Sequence, residues 1–167
     1  MPPVSVIALV ASPVHAFEGR PADGPLPDPG PITHDAVEIR AGKGIVGDRY
    51  FGHAAHKDAA VTFFAAESLD ALGLEDPGDP TATRRNVILR GFPIDDLAAD
   101  RGRFSLDCGA GPIRFQVTRA ANPCAWMDVA IGPGAFHGLR RRGGVRATPL
   151  DDGILRVGPA SLTVLTP

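Results

Sequence analysis

The chain has 167 residues, 44% hydrophobic and 22% charged, which is enough apolar material for one domain with its own core. Its net charge of −2 gives no global electrostatic reason to expect nucleic acid or a membrane surface as a partner. No apolar run reaches bilayer-spanning length, and Cys108 and Cys124 form neither a CxxC pair nor a disulfide framework, so a reducing cytoplasm with free thiols is expected.

Taken in chain order, Val4 to Ala11 is an apolar run that lacks the basic residues opening a signal peptide, and it reads as a first strand. Residues 19–31 are dense in Pro and Gly and read as an exposed loop. A strand is expected over Ala36 to Arg40, followed by a turn-rich stretch to Arg49. Ala60 to Phe64 reads as a buried strand. Ala65 to Leu72 is the best helix, with Ala66, Leu69 and Leu72 spaced for one face and Gly73 as its stop. Asn86 to Leu89 is another short strand. Phe104 to Asp107 and Ile113 to Arg119 flank Gly109-Ala110-Gly111-Pro112, a hairpin turn. In the second of these, Ile113, Phe115 and Val117 alternate with Arg114, Gln116 and Thr118, the pattern of a strand with one wet face. Strands at Val145 to Leu150, Ile154 to Val157 and Leu162 to Leu165 complete the set, with Asp152-Gly153 a hairpin signal between the first two. Many short strands and two or three short helices predict a mainly β chain, a closed or partly closed β-barrel formed by residues 1–167 as one domain.

The most informative stretch is Asn122-Pro123-Cys124-Ala125-Trp126-Met127-Asp128. A cysteine directly after a proline, between a strand and a short helix, would meet helix N–H groups that favour the thiolate. Thiolate is the form that bonds soft metals and carries sulfur. The plainer alternative is a small buried hydrophobe, which is what most free cysteines are. Cys108 lies in the strand leading to the hairpin turn and is taken as structural.

Of seventeen basic residues only Lys43 and Lys57 are lysines. Arginine binds phosphate and carboxylate through a planar fork, so its clusters matter. Arg140-Arg141-Arg142-Gly143-Gly144-Val145-Arg146 places four arginines around a glycine pair, and Thr83-Arg84-Arg85-Asn86 is a second cluster. Their plain reading is a solvated basic face; with a cysteine they would suit one anionic ligand that carries a soft atom. His53, His56 and Asp58 follow Gly47-Asp48-Arg49 in what reads as a loop, where Asp48 or Asp58 would orient an arginine or histidine rather than hold a metal. Nucleophile elbow, Walker loop and dinucleotide fingerprint are all absent from the sequence.

In order, these pieces resemble the MOSC domain, named after the C-terminal part of molybdenum cofactor sulfurase, in its short stand-alone bacterial form. The matching residues are Gly44-Ile45-Val46-Gly47-Asp48-Arg49, His56-Lys57-Asp58-Ala59-Ala60-Val61, Glu67-Ser68-Leu69, Arg85-Asn86-Val87, Val117-Thr118-Arg119, Pro123-Cys124, Arg142-Gly143-Gly144-Val145-Arg146 and the final Gly153 to Gly158. The resemblance implies a MOSC-type β-barrel, molybdenum cofactor, and Cys124 as both catalytic residue and molybdenum ligand. It implies Arg85 and Asn86 near the cofactor, Thr118 and Arg119 approaching from the preceding strand, and Arg141, Arg142 and Gly143 at its phosphate. The activity implied is reduction of N-hydroxylated compounds, with electrons from an external reductase because no flavin, haem or iron–sulfur motif is visible. The alternative is a sulfur carrier with a Cys124 persulfide, loaded by a cysteine desulfurase, without redox turnover. Pyridoxal phosphate is not expected, since a Schiff base needs one of only two lysines.

Overall fold

The computed structural model describes residues 3–76 and 78–166. Its strands are β1 (Val4–Leu9), β2 (Ala36–Arg40), β3 (Gly44–Ile45), β4 (Val61–Ala65), β5 (Val87–Arg90), β6 (Arg103–Asp107), β7 (Pro112–Ala120), β8 (Val145–Pro149), β9 (Gly153–Arg156) and β10 (Gly158–Leu165). Three short helices accompany them: α1 (Ala66–Asp70), α2 (Trp126–Ala130) and α3 (Ala135–Gly138). Seven strands close into a barrel in the order β1-β10-β6-β7-β8-β4-β5, and β3-β2-β9 form a small separate sheet. All pairings are antiparallel except β4 with β5. The expected closed barrel is therefore present.

Two strand patterns in the sequence have two causes. β7 alternates because Ile113, Phe115 and Val117 point into the barrel while Arg114 and Gln116 face outward. β4 is buried along its whole length because its outer face is covered too. Phe63 points inward and meets Phe104 and Phe115, with ring centroids 5.0 and 4.9 Å away. Phe64 and Ile88 point outward into a second cluster with Leu69 of α1, Met127 of α2 and Ala135 of α3. The three phenylalanines fill the barrel interior, so chemistry is left to the rim.

The hairpin at Gly109–Gly111 forms as expected, with Asp107 opposite Pro112. Asp107 Oδ1 accepts hydrogen bonds from the Gly109 and Gly111 N–H groups at 2.8 and 3.2 Å. The Asp152-Gly153 signal was misleading. β8 pairs with β4 and β7 inside the barrel, whereas β9 pairs with β2. The dipeptide is a corner where the chain leaves one sheet for the other. Asp152 Oδ1 caps the Ala41 N–H at 2.8 Å, and a Cβ at Gly153 would lie 2.7 Å from Ile113 Cδ1. Helix α1 stops at Asp70, two residues before the expected end, with Gly73 at φ +66° beyond it. Residues 54–59 form a 3-10 helix where a loop was expected.

Next to that corner, Arg114 grips Asp151 through Nε and Nη2 at 2.9 and 2.8 Å, and its backbone N–H adds a third bond at 2.9 Å. The guanidinium holds the Asp151 carboxyl down to about 2. A depressed carboxyl stabilises the fold above its unfolded value, and the contribution disappears as pH falls through the folded one. An Asp151→Asn variant should melt about 1–3 °C below the wild type near pH 6, with the gap closing between pH 4 and pH 2; the modest size reflects a pair open to solvent. Thermal melts across that range check this, and a constant gap would contradict it.

The Pro/Gly-rich loop is exposed over most of its length but is latched to the barrel. Arg84 donates to both Asp28 oxygens at 2.9 Å and to the Val14 carbonyl at 3.1 Å, and the fork keeps the Asp28 carboxyl below its ordinary range. Ser12 Oγ donates to the same carboxylate. Nearby, the Phe17 ring stacks on Trp126 at 5.1 Å and 10°. Among the described residues, no helix is long and apolar enough to cross a membrane.

Candidate functional site

Cys124 sits in the loop between β7 and α2, and it is exposed. Its carbonyl accepts from the Met127 N–H at 2.9 Å, so a helical turn begins at the cysteine, as the Pro-Cys placement predicts. The helix that follows has only five residues, which makes its dipole a weaker influence than the sequence suggests. Cys108 is half-buried against the barrel core, and burial pushes its thiol up, consistent with a structural role.

What holds the Cys124 loop is Arg85. Its Nε donates to the Gly143 carbonyl at 2.9 Å, and its Nη2 donates to the Ala121 and Asn122 carbonyls at 3.1 and 3.2 Å. One fork thereby ties the segment before the cysteine to the turn before β8. The reason for Gly143 is visible here: a Cβ would overlap the Ala121 carbonyl and press on Pro123. Its absent side chain serves close packing of two chain segments.

Burial lowers Arg85 to about 10, with help from the positive charge of Arg146 and Arg49. Proximity to Cys124 and Tyr50 works the other way. Arg146 is likewise lowered by burial first and by Arg119 and Arg49, and again Tyr50 and Cys124 oppose the shift. Arg119 faces Arg146 across the β7–β8 pair, at a register shift between Val117 and Arg119. Like charges opposite one another in a ladder are unfavourable. Cys124 thus lies within electrostatic reach of guanidiniums that also repel each other.

Arg49 belongs to the same group. Its side chain is only 14% exposed, and Nε and Nη1 have no hydrogen-bond partner among the described residues. The carboxylate beside it, Asp48, is 3.5 Å from Nη1. Asp48 is itself occupied by the N–H groups of Ser12 and Tyr50 and by the Asn86 amide. The guanidinium lies 4.7 Å from the centre of the Tyr50 ring, which meets His56 at 4.4 Å and His15 at 6.0 Å. Burial and Arg49 lower the His15 pKa. Asp48 lies beside Arg49 as an ion pair but makes no hydrogen bond to it, so the expected orientation by hydrogen bonding is not seen there; Arg49, Arg146 and His15 as members of one cluster were missed. The signal for Arg146 was present in its run, but singling it out requires the β7–β8 register.

The other expected site residues fall into separate roles. Asn86 is buried and uses its whole amide inside the protein: Oδ1 accepts from the Thr62 N–H and hydroxyl at 2.9 and 3.0 Å, and Nδ2 donates to Val10 and Asp48 at 3.0 and 3.3 Å. Nothing remains for a ligand, so its role is to fasten β1, β4 and the Asp48 loop. Thr118 donates to the Asp58 and Arg146 carbonyls, and with Arg119 it lines a polar hollow of about 560 Å³. Arg142 and Arg141 line a cleft of about 490 Å³ on the far side of the Gly143–Gly144 turn, together with Glu67, Asp95 and Asp96. Three carboxyl groups make that cleft a poor place for a phosphate. Arg141 also borders a hollow with Asn122 and Pro123, next to the cysteine. The His53 and His56 rings lie 6.2 Å apart, tilted at 54°, and among the described residues no three His, Cys, Asp or Glu side chains gather as a metal site. Any metal at Cys124 would therefore be held by a bound ligand and one protein sulfur.

Comparison with known proteins agrees with this architecture. The family model described as the MOSC domain matches residues 49–160, more than half of the chain. Among solved structures, the YuaD protein from Bacillus subtilis superimposes with a TM-score of 0.70 at 14% identity, covering 98% of this chain and 97% of that one. YiiM from Geobacillus stearothermophilus gives 0.61 at 15% identity over 98% and 76% of the two chains, and YiiM from Escherichia coli gives 0.60 at 16% over 99% and 69%. At such identities the likeness is one of fold. No curated protein matches the chain. With the family model spanning strands β4 to β9, the start of β10 and Cys124, the chain belongs to the MOSC domain family.

Proposed function

We propose that the protein binds molybdenum cofactor at Cys124 and reduces N-hydroxylated compounds with electrons from an external reductase. The observation that carries the reading is an exposed thiol within electrostatic reach of guanidiniums that repel one another, one of which, Arg49, has buried N–H groups without a hydrogen-bond partner among the described residues. Such a cluster is stabilised by an anion. A pterin dithiolene with a terminal phosphate is anionic and has an open metal position for one soft donor, so the residues fit it. Cys124 would hold the metal, with Arg49 and Arg146 toward the anionic part. Arg85 acts indirectly, by fixing the loop that carries the sulfur. The bound group would supply two-electron redox chemistry at the metal. His15, whose ring lies 6.0 Å from that of Tyr50 and whose pKa burial and Arg49 lower, would be available to exchange a proton with a bound substrate.

The test is the molybdenum and pterin content of protein purified from a host that makes the cofactor. Near-stoichiometric molybdenum is the expected result. Neither molybdenum nor pterin, in a host that loads a known molybdoenzyme, would remove the reading. One observation favours a second reading: among the described residues the exposed sulfur belongs to no group of three metal-binding side chains, which also suits a persulfide received from a cysteine desulfurase and passed on. Sulfane sulfur on Cys124 together with empty metal analysis would identify that carrier.

A further inference from the structure

We propose that Asp95, a residue outside the arginine cluster, is a positioning residue for Cys124 that acts through the Gly143–Gly144 turn. The inference rests on the reading of Cys124 as the reactive centre. Asp95 stands in the 3-10 turn Ile94–Leu97, anchored by the fully buried Ile94. Its Oδ1 accepts from the Gly144 N–H at 2.8 Å. The Gly144 carbonyl accepts from the Ala121 N–H at 2.8 Å, and the neighbouring Gly143 carbonyl accepts from Arg85 Nε at 2.9 Å. Arg85 in turn grips the Ala121 and Asn122 carbonyls. A continuous set of hydrogen bonds therefore runs from Asp95 to the residues just before Cys124.

The turn has few other restraints. Arg140, Arg141 and Arg142 are exposed and form no ion pair among the described residues, and Arg141 holds a left-handed φ of +64°. Gly144 has φ +93°, and a Cβ there would overlap the Phe63 carbonyl, so the turn lies hard against β4 and depends on backbone bonds for its setting. Asp95 keeps its carboxyl at a cost: burial raises its pKa, and Asp96 adds repulsion, while Glu67, Arg141 and Arg142 share its cleft. The Gly144 and Ser68 bonds offset that cost, the second being long at 3.5 Å. What the geometry needs at position 95 is an acceptor at this height, which asparagine also supplies.

The experiment is the time profile of Cys124 alkylation by iodoacetamide at neutral pH, on protein made in a host that lacks molybdenum cofactor, read by peptide mass spectrometry with Cys108 as the internal reference. Cys124 is already exposed, so its rate reports the setting of the sulfur in its loop rather than access. With Asp95→Ala the turn and the Arg85 fork loosen, and Cys124 should react roughly threefold more slowly relative to Cys108. Asp95→Asn should follow the wild-type profile, and Cys108 should be unchanged in both. If Asp95→Ala does not fold, Asp95→Ser, too short to reach Gly144, takes its place. Superimposable profiles for the short variant and wild type would overturn the proposal, as would an equal slowing in Asp95→Asn, which would assign the effect to charge. Because alkylation needs no cofactor, an absence of molybdenum would defeat the functional reading without touching this result.

Discussion

A Cys124→Ser variant should keep the wild-type fold and lose bound molybdenum, with roughly a tenfold or larger fall in metal per protein and a matching loss of any reductase activity. The contrast between the two effects comes from where the side chain sits. Cys124 is exposed and makes no core contact, so exchanging sulfur for oxygen should change stability by no more than about 0.5 kcal/mol. As a metal donor the exchange is severe. A serine hydroxyl stays protonated at neutral pH and is a hard donor, whereas the metal position requires a soft anionic one. Serine would also leave the guanidinium cluster in place, so pterin without metal could still bind. Metal analysis paired with pterin fluorescence separates the two. Equal molybdenum in wild type and variant would show that the sulfur is not a ligand.

The second large effect is expected at Arg85. Arg85→Met removes the donors to three carbonyls while keeping an unbranched apolar stem. The bond to the Asn122 carbonyl is solvent-exposed, so water can replace it. Ala121 and Gly143 are buried, and each unpaired carbonyl there costs about 1–3 kcal/mol. Removing a buried charge gives some of this back, since Arg85 is already lowered to about 10 by its surroundings. The loss at the carbonyls outweighs that gain because the charge reaches solvent at one end. A net loss of about 3 kcal/mol follows, which for a chain of this size lowers Tm by on the order of 6–12 °C. Arg85→Lys restores charge but not the fork, and one ammonium cannot span both segments, so it should recover less than half of the loss. Calorimetric melts decide this; a lysine variant as stable as wild type would show that charge alone matters.

The same pair of residues shows what was legible in the sequence. Thr83-Arg84-Arg85-Asn86 read as one cluster aimed at one ligand. In the fold Arg84 adopts a left-handed φ of +57°, so adjacent arginines serve opposite ends: Arg84 latches Asp28, and Arg85 holds the cysteine loop. A single backbone angle carries no pattern in the letters. The inward face of β7 and the Gly109–Gly111 hairpin were legible because periodicity and turn chemistry are local. Asp152-Gly153 failed because the partner of β9 is β2, more than a hundred residues away. That Arg49 and Arg146 share one site was illegible for a related reason: barrel closure brings residues 49, 85, 119, 124 and 146 into one electrostatic neighbourhood, and spacing alone cannot reveal it. Asn86, expected near the cofactor, has a structural task, visible only from its four filled hydrogen-bonding positions.

The Phe17–Trp126 stack has an optical consequence. Trp126 is the chain's single tryptophan, 6% exposed, two residues from Cys124 and at the start of the helix that the cysteine opens. Its face rests on the Phe17 ring, which leads into the latched loop. Its emission therefore reads the cysteine side and the loop side at once, and no label is needed to watch the sulfur gain or lose a partner.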